Sequence, residues 1–183
     1  MGVWRDDSTN KHSGLHMIAF ASVTLFPCLM IIAGAGDALS MRIPNWLTLT
    51  IAAAFLPMAL LTGMPWTLIG MHALVGLAMF VAGFAFFALG LFGGGDAKLL
   101  AAAGLWLGWP DLMPFLIMTA FAGGILALCI GAWSLISINS EIKGGSIFRR
   151  LGTIKPNVPY GYAFAIGAIL AFPQSWWMPA VAA

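Results

Sequence analysis

The chain has 183 residues, of which 61% are hydrophobic and 8% charged, with a formal net charge of +2 and a mean hydropathy of +0.97. A soluble domain carries roughly 25% charged residues, so this chain has too few to cover a water-facing surface. That excludes an ordinary cytosolic enzyme, a disordered tail and a nucleic-acid-binding domain, and leaves an integral membrane protein.

Residues 1–14 read as an N-terminal tail bearing Arg5 and Lys11. The apolar run 15–36 that follows exceeds the ~7–15 residues of a secretory signal core and suffices to cross a ~30 Å hydrocarbon layer, so it reads as a retained helix. Further apolar segments are expected at 46–63, 67–92, 97–109, 112–138 and 160–178. The fold class is therefore all-α: a polytopic membrane protein with six transmembrane helices in one domain, 15–178, and a short C-terminal tail, 179–183. Segment 97–109 is short, rising only ~20 Å as a helix, and must tilt or borrow from its flanks. No run alternates with the period of two that a membrane strand requires. Turn chemistry separates the segments at Pro44-Asn45, Gly63-Met64-Pro65 and Trp109-Pro110-Asp111. Asp111 reads as an N-terminal cap on the fifth helix rather than a functional acid.

With the first helix ending in the cytoplasm, the inner loops hold Arg42, Lys98, Lys143, Arg149, Arg150 and Lys155, and the outer side only Arg5 and Lys11. The excess of basic residues on one face places both termini outside and the 139–159 loop in the cytoplasm. Trp46, Trp66, Trp109, Trp176 and Trp177 fall near expected helix ends and read as interface anchors. Gly104 and Gly108 form a small-residue pair suited to close helix packing, as does Gly123-Gly124. Cys28 and Cys129 lack any metal or redox spacing and read as small apolar fillers, so no metal site and no cofactor are expected.

Two of the acids, Asp37 and Asp96, stand at the ends of apolar segments in glycine-rich settings. A charge near the bilayer is costly, so such acids need a partner or a function. Asp37 is expected just after the first helix and Asp96 just after the third, hence at the same face of the membrane. Two carboxylates brought together in a partly dry site share one proton. The ionised member then deprotonates water while the protonated member polarises a peptide carbonyl, which is the chemistry of aspartic proteolysis. Gly93-Gly94-Gly95 before Asp96 lets another backbone approach closely and so reads as a substrate-contact segment. A phosphate-binding loop does not fit, because its G-x-x-x-x-G-K-[ST] spacing is absent and Leu99 follows Lys98.

Gly93-Gly94-Gly95-Asp96-Ala97-Lys98-Leu99-Leu100 resembles the GxGD signature of the type IV prepilin peptidases, a family of membrane aspartic proteases. Asp37 followed by Arg42-Ile43-Pro44-Asn45 resembles that family's first aspartate motif, and Pro159-Tyr160-Gly161 a third recurring element. The resemblance covers roughly residues 36–170 and implies Asp37 and Asp96 as a catalytic dyad at the cytoplasmic face of the inner membrane. It implies a pilin-like precursor as substrate, cut at its leader. Longer members carry a cysteine-rich zinc-binding segment and also N-methylate their product. This chain has no such segment, so methylation is not implied. In this it is similar to the short peptidases of Flp or tight-adherence pilus systems.

Lys98 either supports the charge of an aspartate or marks the inner face. His72 reads as a histidine bonded to a neighbouring helix rather than a proton relay. The 139–159 loop, mixing basic and apolar residues, is a topology signal that can also rest on anionic lipid. The same two acids also suit a second function, a proton- or ion-coupled transporter, although transporters place such groups near the midplane.

Overall fold

Backbone polar groups have no water to bond inside a bilayer, so apolar segments of this length close their hydrogen bonds internally as helices. In the computed structural model, which describes residues 7–91, 93–139 and 159–178, these are α1 (Asp7–Ser40), α2 (Asn45–Leu61), α3 (Trp66–Ala88), α4 (Gly94–Asn139) and α5 (Tyr160–Ala171). A 3₁₀ turn, Phe172–Gln174, follows α5, and there is no strand among the described residues. Pro44, Pro65 and Pro159 stand immediately before α2, α3 and α5. A proline there sacrifices no helical bond, because the first N–H groups of a helix have no partner within it. Val23–Ser40, Trp66–Ala88 and Gly94–Trp133 are long and apolar enough to cross a membrane, and α2 is a shorter apolar helix. The chain is an all-helical membrane protein.

Several expected boundaries move. α1 starts at Asp7, inside the expected tail, and continues through Asp37 instead of stopping before it. The last apolar segment is helical only to Ala171. The junction expected at 109–111 is a break within α4, at Gly108, where φ is 70° and ψ is −172°. Asp111 lies in the first turn beyond that break rather than at its cap, and it is buried. The expected loop and tail at 140–158 and 179–183 lie outside the described residues.

The contacts show that the chain turns back at Gly108. On one side, α3 and the start of α4 are antiparallel, with Gly83 against Ala97 and the His72 ring against Leu105. On the other side, Gly123 faces Ala163 and Gly167 packs on Thr119, so this half runs antiparallel to α5. α5 in turn runs antiparallel to α1, from Asp37 beside Gly161 to Phe26 beside Phe172. The end of α1 and the starts of α4 and α5 therefore meet at one end of the bundle. Such close contacts depend on small residues, since dispersion between backbones does much of the work of helix association in lipid. Gly104 packs on Met79 as the small-residue pattern suggests, whereas Gly108 serves the break.

The opposite end is held by an aromatic core. Phe26 stacks on Trp106 at 5.1 Å, and Trp106 meets Trp177 at 4.8 Å. Both buried indoles are satisfied: Trp106 Nε1 donates to the Ile51 carbonyl at 2.7 Å and Trp177 Nε1 to the Trp106 carbonyl at 2.8 Å. Trp177 is thus a core residue and not the expected interface anchor, while Trp46, Trp66 and Trp109 are exposed. Cys28 and Cys129 are exposed too.

The backbone angles of Gly108 belong to a region essentially closed to residues with a side chain. A methyl there also lies 2.6 Å from the His72 ring, which is itself buried and bonded through Nδ1 to the Leu105 carbonyl at 2.9 Å. Gly108→Ala is expected to destabilise the protein by about 1–3 kcal/mol from backbone strain alone. The measurement is the unfolding midpoint in detergent.

Candidate active site

α1 ends in a tight turn. Ser40 Oγ donates to the Gly36 carbonyl at 2.7 Å, the Met41 N–H donates to the Asp37 carbonyl at 2.7 Å, and Met41 adopts a left-handed φ of 52°. Few residues other than glycine hold that conformation, which costs of order 1–2 kcal/mol. It sends Arg42 and Ile43 back over the end of the bundle before Pro44 starts α2. Ile43 is buried there as a wedge. A methyl on Gly95 lies 3.1 Å from Ile43 Cβ, and one on Gly161 lies 2.7 Å from Ile43 Cδ1. The I-P-N element thus has a physical role, because the Ile43 side chain packs between the starts of α4 and α5.

Asp96 sits in the first turn of α4, and its Oδ2 accepts the Gly93 N–H at 3.1 Å. This is one half of a capping box, an acid in the third helical position bonding back to the residue before the helix. Its other oxygen, Oδ1, is buried and has no hydrogen-bond partner. Asp37 Oδ2 accepts the Gly161 N–H at 2.8 Å, using one of the donors that the start of α5 leaves free. The two carboxylates lie near enough to interact with one another electrostatically. Both acids are buried, Asp37 at 5% and Asp96 at 9% exposure.

They line one cavity of about 590 Å³ with Ser40 to Asn45 and Gly93 to Gly95. The starts of α4 and α5 each supply a backbone N–H to one of the two carboxylates, Gly93 to Asp96 and Gly161 to Asp37. The expected site residues Asp37, Asp96, Gly93, Gly94 and Gly95 are all brought together. Lys98 is placed differently from a direct charge partner: its Nζ donates to Asn45 Oδ1 at 2.8 Å, tying α4 to the start of α2. The contribution that sequence reasoning missed is the Gly161 N–H. Its signal was present in Pro159-Tyr160-Gly161, a proline just before a helix with a residue lacking a side chain two positions on.

The fold and cavity together define a helical membrane protein with two carboxylates gathered at one end of its bundle. Residues 24–128, which include both aspartates, match the type IV leader peptidase family, and the chain belongs to that family. Membership makes it a peptidase. Comparison with curated proteins and with solved structures gives no match. Pro159-Tyr160-Gly161 lies outside the matched segment, so its part in the site rests on geometry alone.

Proposed function

We propose that the chain is an aspartic endopeptidase that removes the leader of a pilin-like precursor at the cytoplasmic face of the inner membrane, with Asp37 and Asp96 as its dyad. The observation that carries this reading is the opening of both carboxylates onto a single cavity. Asp37, held by the Gly161 N–H, is the better seat for the negative charge, because a hydrogen bond to the charged form favours it. Asp96 carries the proton on Oδ1, the oxygen that is buried without a donor facing it. In the resting site that proton lies between the pair.

Cleavage begins when Asp37 takes a proton from a water in the cavity and the oxygen of that water bonds to the carbonyl carbon of the scissile peptide. The Asp96 proton bonds to the carbonyl oxygen as negative charge develops there. Collapse of the tetrahedral intermediate breaks the C–N bond, and the proton held by Asp37 passes to the leaving nitrogen. One hydroxyl of the intermediate returns its proton to Asp96 as the C=O bond re-forms, which restores the starting pair. Gly93, Gly94 and Gly95 leave room for the substrate backbone to reach the acids. Lys98 acts through Asn45 to hold α2 against α4.

Six membrane crossings follow if α4 crosses twice, once on each side of Gly108, with the aspartate end of the bundle facing the cytoplasm. The test is mass spectrometry of a pilin-like precursor co-expressed with the protein. The expected result is a product shortened by its leader. A precursor of unchanged mass contradicts the reading.

A further inference from the structure

α2 and α3 both pack on α4 but scarcely touch one another, and the gap between them is a groove of about 630 Å³. Its lining runs from position 45 to 52 on α2, from 80 back to 73 on α3 and from 98 to 105 on α4. Two helical turns on each wall give a depth of about 10 Å. Leu49, Leu77 and Phe80 on its rims are exposed, so the groove opens sideways, where lipid surrounds the bundle. Below its mouth the one polar side chain is Thr48, whose hydroxyl donates to the Asn45 carbonyl at 3.1 Å. The mouth itself is cationic. Lys98 Nζ has three donors and gives one to Asn45 Oδ1 at 2.8 Å. That bond leaves the Asn45 NH₂ group as a further donor, and among the described residues no carboxylate pairs with Lys98. Trp46, the next residue, is exposed, as suits an indole at the headgroup layer.

We propose that the groove binds one anionic phospholipid, with its phosphate on Lys98 and the Asn45 amide and an acyl chain lying along the α4 floor. An apolar slot open to the bilayer does not stay empty, because its walls lose their dispersion contacts if nothing fills it. Hydrocarbon supplies those contacts, and the positive mouth selects which lipid supplies them. Basic pockets between membrane helices hold anionic headgroups, and a lysine reaches headgroup level on its apolar stem. A zwitterionic headgroup brings its own cation, which Lys98 repels. Charge at one end and apolar depth behind it therefore coincide in a single anionic phospholipid. The site is independent of the endopeptidase reading. It borders the aspartate cavity at Asn45, which lines both spaces.

The test is native mass spectrometry of the whole chain released from detergent micelles and titrated with phosphatidylglycerol or with phosphatidylcholine of the same acyl chains. The expected result is one retained phosphatidylglycerol, held at least about tenfold more tightly than phosphatidylcholine, the worth of a hydrogen bond to a charged group. Lys98→Gln, whose amide can still donate to Asn45 Oδ1, should lose that preference. Arg42→Gln removes a cation at the same end of the bundle but outside the groove. It should weaken retention by no more than about fivefold, the general attraction of one basic residue to an anionic surface. Ala73→Trp fills the groove from an exposed position and should abolish retention with Lys98 in place, whereas Leu128→Trp on the far part of α4 should not. Unfolding midpoints of the four variants are measured alongside. Equal retention of the two lipids, equal losses in Lys98→Gln and Arg42→Gln, or unchanged retention in Ala73→Trp overturns the site. A lipid-free dimer that Ala73→Trp prevents gives the face to a second copy of the chain and overturns it as well.

Discussion

Asp37→Asn and Asp96→Asn are each expected to leave a pilin-like precursor uncut, with cleavage reduced by about 10²–10⁴-fold, the usual range for removing a general acid or base. The substitutions isolate chemistry from folding. An asparagine oxygen at position 37 still accepts the Gly161 N–H, and one at position 96 still accepts the Gly93 N–H. The unfolding midpoint therefore shifts little while the reaction stops. The double variant is expected to be scarcely worse than either single one, because the two groups act as a unit on one proton. Cleavage by the unaltered protein should pass through a maximum with pH. Below it both carboxyls are protonated and no base remains, and above it both are ionised and no acid remains. Cleavage that persists at the unaltered rate in either single variant contradicts the dyad.

Gly161→Ala is the second large effect. The added methyl lies 2.7 Å from Ile43 Cδ1 and 2.9 Å from both Cβ and Oδ2 of Asp37. Ile43 Cδ1 is the end of a side chain, but Asp37 Cβ is fixed to the backbone of α1 and has no such freedom. The start of α5 must therefore shift, and its N–H leaves the carboxylate it holds. A displacement of about 1 Å of a catalytic group costs on the order of 10²-fold in rate, and the overpacking costs about 1–3 kcal/mol of stability. Ile43→Val removes the Cδ1 atom that the new methyl meets first, so the pair Gly161→Ala with Ile43→Val should recover part of the lost cleavage. Recovery of this kind distinguishes a steric shift from a general loss of fold. The measurement is the rate of precursor cleavage in the two single variants and the double variant, with unfolding midpoints alongside.

Much of the site could be read from the chain because its parts are chemical exceptions in an apolar background. Asp37, Asp96 and the glycine run stand out in a sequence with 8% charged residues. The parity of helices was enough to bring both acids to one end. Helix limits were harder to read, for a physical reason. Hydropathy marks where a helix meets lipid, but its hydrogen bonds are local and continue through polar residues, which is why α1 extends from Asp7 to Ser40.

Gly108 illustrates the opposite case. Spaced four residues from Gly104, it reads as part of a packing face, yet a positive φ is a property of the backbone that no side-chain pattern reports. Trp177 was indistinguishable from an interface anchor until the chain folded back after Pro173 and carried it onto Trp106. Lys98 carried two readings because sequence distance to Asp96 is short, whereas the acceptor it reaches, Asn45, lies on another helix.

Catalysis by a dyad requires above all that Asp37 and Asp96 face one another across a single cavity, and thiol bridging tests this directly. In a Cys28→Ser, Cys129→Ser background, Asp37→Cys and Asp96→Cys are introduced singly and together, and membranes are treated with dibromobimane, which fluoresces when it joins two nearby thiols. The expected result is an intramolecular fluorescent bridge in the double variant and none in either single variant. No bridge in the double variant, although a monofunctional bimane labels each single cysteine, would contradict the shared cavity and the dyad with it.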